Sequence, residues 1–239
     1  THLLINFLKK FLNKNIILYP HSAARNSRIP KTQHKGKANI LTKCTVLISD
    51  KKETNFFRSR GFEGRFLDVS FPPDNKEWIE MIKDNFLSPM SNEEEYVVVF
   101  LNGLRDVYFE EESYRNLLRV TLQAIETVDR NVKIIFKRHP RPFKNHKENK
   151  ILQSIISEFK YLKIEFNNSP NFILSLFSKY NLIQNNGAIF ISHAMNKNSF
   201  FLFLEDEGYK SWPEGRSPRD YDLPYISDKI ELINELKKI

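Results

Sequence analysis

Lys137-Arg138-His139-Pro140-Arg141 places three cations and an imidazole on consecutive positions around one proline. They follow an apolar, β-branched run, Val132-Lys133-Ile134-Ile135-Phe136, that reads as a short buried strand. Pro140 has no N–H to give, so regular pairing must stop there. Arg offers a forked donor and His a titratable one, a combination suited to phosphate at the end of a strand. A basic turn closing a buried strand is the competing reading. Alternation along the strand also means that not all of Lys137, Arg138 and Arg141 can face one ligand. Asn102-Gly103 follows a second apolar run, where backbone often comes close to a ligand; Gly103 as a plain turn residue is equally compatible. Glu205 and Asp206 follow a third run and suit ribose hydroxyls, against a solvated acidic loop as the alternative. His21, after Tyr19-Pro20, is a further candidate for acceptor binding or base work. His193 lies among apolar and small residues and reads as core or interface. No P-loop, zinc spacing, catalytic Ser–His–Asp order or DxD-type metal pair is present.

These groups need strands to carry them, and the chain supplies an alternation of strands and helices. The spacing predicts a helix over 2–13, a strand over 15–19, and a basic loop from Ala23 to Lys37. Thr45–Ser49 reads as a strand, Lys51–Arg60 as a helix capped by Asp50, and Arg65–Ser70 as a third strand. A helix over 75–86 precedes Ser88-Pro89-Met90-Ser91-Asn92, the best linker in the chain. Then come a strand at Tyr96–Leu101, a helix at Glu111–Val128 with an acidic first turn, and the strand 132–137. A helix near Glu148–Phe159, a strand at Leu162–Phe166 and a helix over 171–179 follow. Leu182–Gln184 is a short strand, Asn185-Asn186-Gly187 opens a helix carrying His193, and Ser199–Leu204 is a buried strand. After a loop, Ser227 caps a last helix that runs to Lys238. This order predicts an α/β fold with doubly wound parallel sheets.

Composition narrows the function classes. The 239 residues carry 41% hydrophobic and 28% charged side chains, the mix of a globular chain with a sizeable core. A formal net charge of +8 favours phosphate-bearing partners. Cys44 stands alone, which excludes a disulfide framework and a cysteine metal site. Only 7 glycines argue against glycine-rich phosphate loops. No apolar run reaches the roughly 18–20 residues of a membrane span. The 20 phenylalanines fall mainly in strands and on apolar helix faces and form no stacking platform, so nucleic acid is not expected as a partner.

Two α/β segments joined near residue 90 resemble the GT-B glycosyltransferase architecture. Within it, Lys137-Arg138-His139-Pro140-Arg141, Gln184-Asn185-Asn186-Gly187-Ala188 and the following helix–strand pair are similar to bacterial surface-polysaccharide transferases. Those include sialyltransferases with an HP motif, capsule Kdo transferases and CDP-glycerol or CDP-ribitol polymerases. The resemblance implies a partial N-terminal, acceptor-side domain over 1–88 and a donor-binding Rossmann-like domain over 89–239. The first domain is short for its class and the chain starts without Met, so residues are expected upstream. The resemblance further implies transfer of a sugar or polyol-phosphate from a CMP- or CDP-activated donor to a glycan or lipid-linked acceptor. It implies no metal and no cofactor beyond that donor, and a place at the cytoplasmic face of the membrane. The amphipathic start, residues 2–13, and the basic loop 25–37 suit peripheral contact with anionic lipid, with packing of that helix on the first sheet as the alternative.

In that scheme His139 donates a hydrogen bond or proton to the leaving phosphate, with Lys137, Arg138, Pro140 and Arg141 around it. Asn102, Gly103, Asn185, Asn186 and Gly187 complete the donor site, the last two through backbone N–H groups at a helix start. The Asn pair departs from the hydroxyl pair usual in those families, and the general base is left unassigned. A non-catalytic relative that binds an anionic glycan or protein partner fits the same departures.

Overall fold

A computed structural model describes residues 17–18, 45–48, 54, 58, 64–68, 76–86, 94–104, 110–138, 146–184, 188–202 and 224–239. The chain divides into two compact units, residues 1–75 with 214–216, and residues 76–213 with 217–239. In the first, strands β1 (Ile17–Leu18), β2 (Thr45–Ile48) and β3 (Arg65–Asp68) form a parallel sheet in that order. Thr54 and Arg58 are helical, and the Arg58 guanidinium lies 5.9 Å from the centre of the Phe66 ring.

The second unit is built on a six-stranded sheet, all parallel, in the order β6-β5-β4-β7-β8-β9. The strands are β4 (Tyr96–Phe100), β5 (Lys133–Lys137), β6 (Lys163–Phe166), β7 (Tyr180–Gln184), β8 (Ser199–Leu202) and β9 (Tyr225–Ile226). Helix α1 (Lys76–Asn85) precedes them. Then α2 (Glu111–Val128), α3 (His146–Glu158), α4 (Asn171–Phe177), α5 (Ala188–Met195) and α6 (Lys229–Leu236) follow in chain order. Helix α1, expected on the N-terminal side, groups with this unit. Its Trp78 and the following Phe86 both meet Phe172 of α4 edge to ring, at 5.9 and 5.7 Å.

Strand β4 reads Tyr-Val-Val-Val-Phe because it is buried on both faces, the habit of a central parallel strand. Its Val97, Val99 and Leu101 join the core under α2, α3 and α6, while Tyr96, Val98 and Phe100 join the core under α4 and α5. The helices therefore change face where the strand order reverses, as right-handed crossovers require.

Three expectations change. Strand β7 begins at Tyr180, not Leu182, since the Asn181 amide that hid it is buried and bonded to Ser178 and Ser199. Strand β9 lay inside the expected loop; a two-residue strand has no pattern of its own and exists by pairing with β8. Helix α6 is capped by Asp228, whose carboxylate accepts from the Glu231 N–H, while Ser227 donates to the Glu231 carboxylate. The expected helices over 2–13 and 51–60 and the loop 23–37 lie outside the described residues, apart from helical Thr54 and Arg58.

Candidate functional site

Strand β4 is where the second sheet reverses direction: the chain leaves it for β5 on one side, and β7 returns on the other. In open parallel sheets, ligands bind in the crevice beyond the carboxyl ends of such neighbours. Leu101 extends the ladder by one rung, its N–H donating to the Lys137 carbonyl at 2.9 Å. The next N–H, of Asn102, turns the other way and donates to Oε1 of Gln184 at 3.3 Å. A side chain at the end of β7 thus closes the gap at the reversal. Asn102 and Gln184 are both buried, and among the described residues neither Asn102 Nδ2 nor Gln184 Nε2 has a hydrogen-bond partner. Gly103 then takes φ +81°, a left-handed conformation that other residues enter at a cost. A Cβ there would also stand 3.0 Å from Oε2 of Glu148, so the glycine serves both the turn and the approach of that carboxylate.

At the end of β5 the cations separate. Lys137 is only 7% exposed, and its Nζ donates to the Asn168 carbonyl at 3.1 Å. Burial holds this ammonium below the usual lysine range. Among the described residues no carboxylate pairs with it. Arg138 donates from Nη1 to Oδ1 of Asn149 in α3 at 2.8 Å, and its guanidinium lies 4.3 Å from the centre of the Phe166 ring. Phe166 in turn meets Phe136 edge to ring at 5.8 Å, and Arg138 Nε is buried with no partner among the described residues. Beneath Arg138, burial and then the nearby Glu148 charge push the Tyr114 hydroxyl well above its ordinary value, with Arg138 opposing.

Of the residues singled out from sequence, the structure brings Asn102, Gly103, Lys137 and Arg138 to one edge of one sheet. His139, Pro140, Arg141, Asn185, Asn186, Gly187, Glu205, Asp206 and His21 lie outside the described residues. His193 sits half-buried in α5, bonded to the Ser199 backbone and held below its usual range chiefly by burial, away from this edge. Sequence reasoning gave no site role to Glu148, Asn149 and Phe166, and took Gln184 only as the first residue of the 184–188 motif. Besides that motif, only Glu148 carried a signal, an acid in the first turn of a helix. Among the described residues no cluster of His, Cys, Asp and Glu has the makings of a metal site, and no helix is long and apolar enough to cross a membrane.

No protein-family model and no curated protein sequence matches the chain. Solved structures do. The UDP-GlcNAc 2-epimerase of Methanocaldococcus jannaschii, in complex with UDP-GlcNAc and UDP, aligns over 84% of this chain and 54% of its own, at 16% identity and a TM-score of 0.51. A UDP-forming α,α-trehalose-phosphate synthase from Burkholderia xenovorans aligns over 98% of this chain and 63% of its own, at 11% identity and 0.52. The wall teichoic acid polymerase TagF reaches 0.45 at 14% identity over 84% of this chain and 49% of its own, too slight a likeness to carry any inference. The chain therefore spans between about half and two-thirds of the length of the first two. At these identities the likeness is one of fold: an α/β chain with a Rossmann-like, GT-B-type parallel sheet.

Proposed function

We propose that this chain is the donor-binding part of a GT-B-type transferase that moves a sugar or polyol-phosphate from a CMP- or CDP-activated donor to a surface-glycan acceptor. The observation that carries the reading is Lys137, a buried cation at the carboxyl edge of a parallel sheet whose one described acceptor is a carbonyl. A buried charge is ordinarily paired or neutralised. A donor phosphate would pair this one.

In this reading Lys137 binds and neutralises negative charge on the donor phosphate, and Asn102 and Gly103 are assigned to the donor at the turn that follows β4. His139, next in the chain, is assigned the hydrogen bond or proton to the leaving phosphate. Asn185, Asn186 and Gly187 are assigned to the donor as backbone and amide contacts, and Glu205 and Asp206 to its ribose. The unit of residues 1–75 is assigned to the acceptor side, and the acceptor is a glycan or lipid-linked glycan at the inner face of a membrane. The cytidine preference rests on Lys137-Arg138-His139-Pro140-Arg141. The epimerase is in complex with UDP-GlcNAc and UDP and the trehalose-phosphate synthase is UDP-forming, so both bases belong in the test.

Thermal shift and calorimetry against CMP, CDP, UDP, GDP and a short oligonucleotide, on the wild type and His139→Ala, decide the matter. A ligand selective for the native state raises the melting temperature with its concentration. Stabilisation by a cytidine nucleotide that is lost in His139→Ala is the expected result, followed by turnover with a matching donor. Binding without turnover points to a non-catalytic module, salt-sensitive oligonucleotide binding to a nucleic-acid partner, and no nucleotide binding at all refutes the proposal.

A further inference from the structure

The Asn102 and Gln184 carboxamides bring buried donors to the reversal point of the sheet with nothing among the described residues to receive them. Gln184 is wholly buried at the end of β7, opposite Leu202 of β8. Its orientation is not arbitrary. The Asn102 N–H must meet an oxygen, so Oε1 faces β4 and the NH2 group is turned away. Turning the amide over would set donor against donor. Two buried amide groups left unpaired at a ligand edge call for an explanation beyond packing.

We infer that this pair is the subsite for an uncharged acceptor oxygen, a hydroxyl or ether oxygen of the sugar or polyol attached to the donor phosphate. The inference rests on the donor-site reading above. Position and charge both favour it. Strand β4 separates the strand of Lys137 from that of Gln184, two strand intervals or about 10 Å along the sheet, and the register sets the two residues on opposite faces. A donor whose phosphate meets Lys137 would pass over the strand ends to bring its attached group to the β4–β7 end. The described cations hold other acceptors, Lys137 the Asn168 carbonyl and Arg138 the Asn149 side chain. Neutral amides suit a neutral oxygen, whereas a desolvated anion is better met by charged donors. A buried group built to bond a substrate oxygen also discriminates strongly, because a substrate lacking that oxygen leaves the site unpaired.

The test is calorimetry with CDP against CDP-glycerol, and UDP against UDP-GlcNAc, on the wild type, Gln184→Met and Lys137→Met. Gln184→Glu, which keeps an acceptor for the Asn102 N–H, replaces Gln184→Met if the latter melts early. The quantity read is how much more tightly the group-bearing ligand binds than its bare nucleotide. Gln184→Met should cut that preference about tenfold while bare-nucleotide affinity stays within about twofold. Lys137→Met should weaken bare and group-bearing ligands alike. If Lys137→Met weakens nucleotides but the preference is unchanged in the Gln184 variant, the subsite is overturned and the donor site stands. Equal losses for bare and group-bearing ligands in the Gln184 variant would assign the pair to phosphate and also overturn it. Failure of every ligand to bind the wild type overturns both.

Discussion

Replacing Lys137 with Met separates a phosphate-binding lysine from one that merely closes a strand. Met keeps most of the buried stem and opens no large cavity, so the change is essentially the loss of Nζ. In the free protein that nitrogen costs more than it returns, since a desolvated ammonium bonds one carbonyl at 3.1 Å and burial depresses its pKa. The unfolded chain therefore binds more protons than the folded one between the lowered pKa and the ordinary 10.5. Wild-type stability should rise with pH across that alkaline window, while below it the penalty is constant. Lys137→Met should remove the rise and melt no lower than the wild type at neutral pH. Ligand binding should move the other way. A charge-assisted hydrogen bond to phosphate contributes about 1.5–3 kcal/mol, so the dissociation constant of CDP should rise by roughly 10- to 150-fold. Pairing with phosphate also restores the lysine's affinity for its proton. Calorimetry above about pH 8, where the diphosphate is fully ionised, in buffers of differing ionisation enthalpy, should therefore show proton uptake in the wild type and none in the variant. An unchanged dissociation constant in Lys137→Met, with the fold intact, would show that no phosphate meets this lysine.

Gly103→Ala places a Cβ on a residue at φ +81° and 3.0 Å from a Glu148 carboxylate oxygen. Conformational strain and displacement of that carboxylate together should cost roughly 1–3 kcal/mol, seen as a lower urea midpoint at unchanged slope. A midpoint equal to the wild type's would contradict the left-handed turn. Asn181→Ala should cost about 1–3 kcal/mol, because a wholly buried amide and its bonds to Ser178 at 2.9 Å and Ser199 at 3.0 Å are lost, although the Ser178 hydroxyl keeps the Ser175 carbonyl and the Ser199 hydroxyl the Asn196 carbonyl. A loss below about 0.5 kcal/mol in the same urea titration would mean that water replaces the amide there.

What could be read in advance was whatever a local period dictates. Strand β4 is apolar throughout because both its faces are covered, and α2 announces itself with Glu111 and Glu112 at its start and an apolar stripe behind them. Both were legible nearly to the residue. Helix α3 was read from Glu148, but it begins at His146, so Glu148 looked like a solvated first-turn acid when it is a buried carboxylate against Gly103. Polar residues at a helix start carry no period, and only the β4–α2 turn packed above them reveals that burial. Asn181 hid the start of β7 for the same reason, a polar side chain whose partners come from elsewhere in the chain.

The site divides along the same line. Strand-end logic finds Asn102, Gly103 and Lys137 because each sits where an apolar run stops. It cannot find Gln184 as a partner of Asn102, 82 residues earlier, because their meeting depends on β7 returning beside β4. Nor does adjacency in sequence distribute roles between Lys137 and Arg138. One residue further along the strand turns the side chain to the opposite face, and there Arg138 is held by the Phe166 ring and the Asn149 side chain. An arginine stacked and bonded in this way would give up contacts to reach a phosphate. Lys137, with one of its three donors engaged among the described residues, would give up little, and that difference favours the lysine as the proposed phosphate contact.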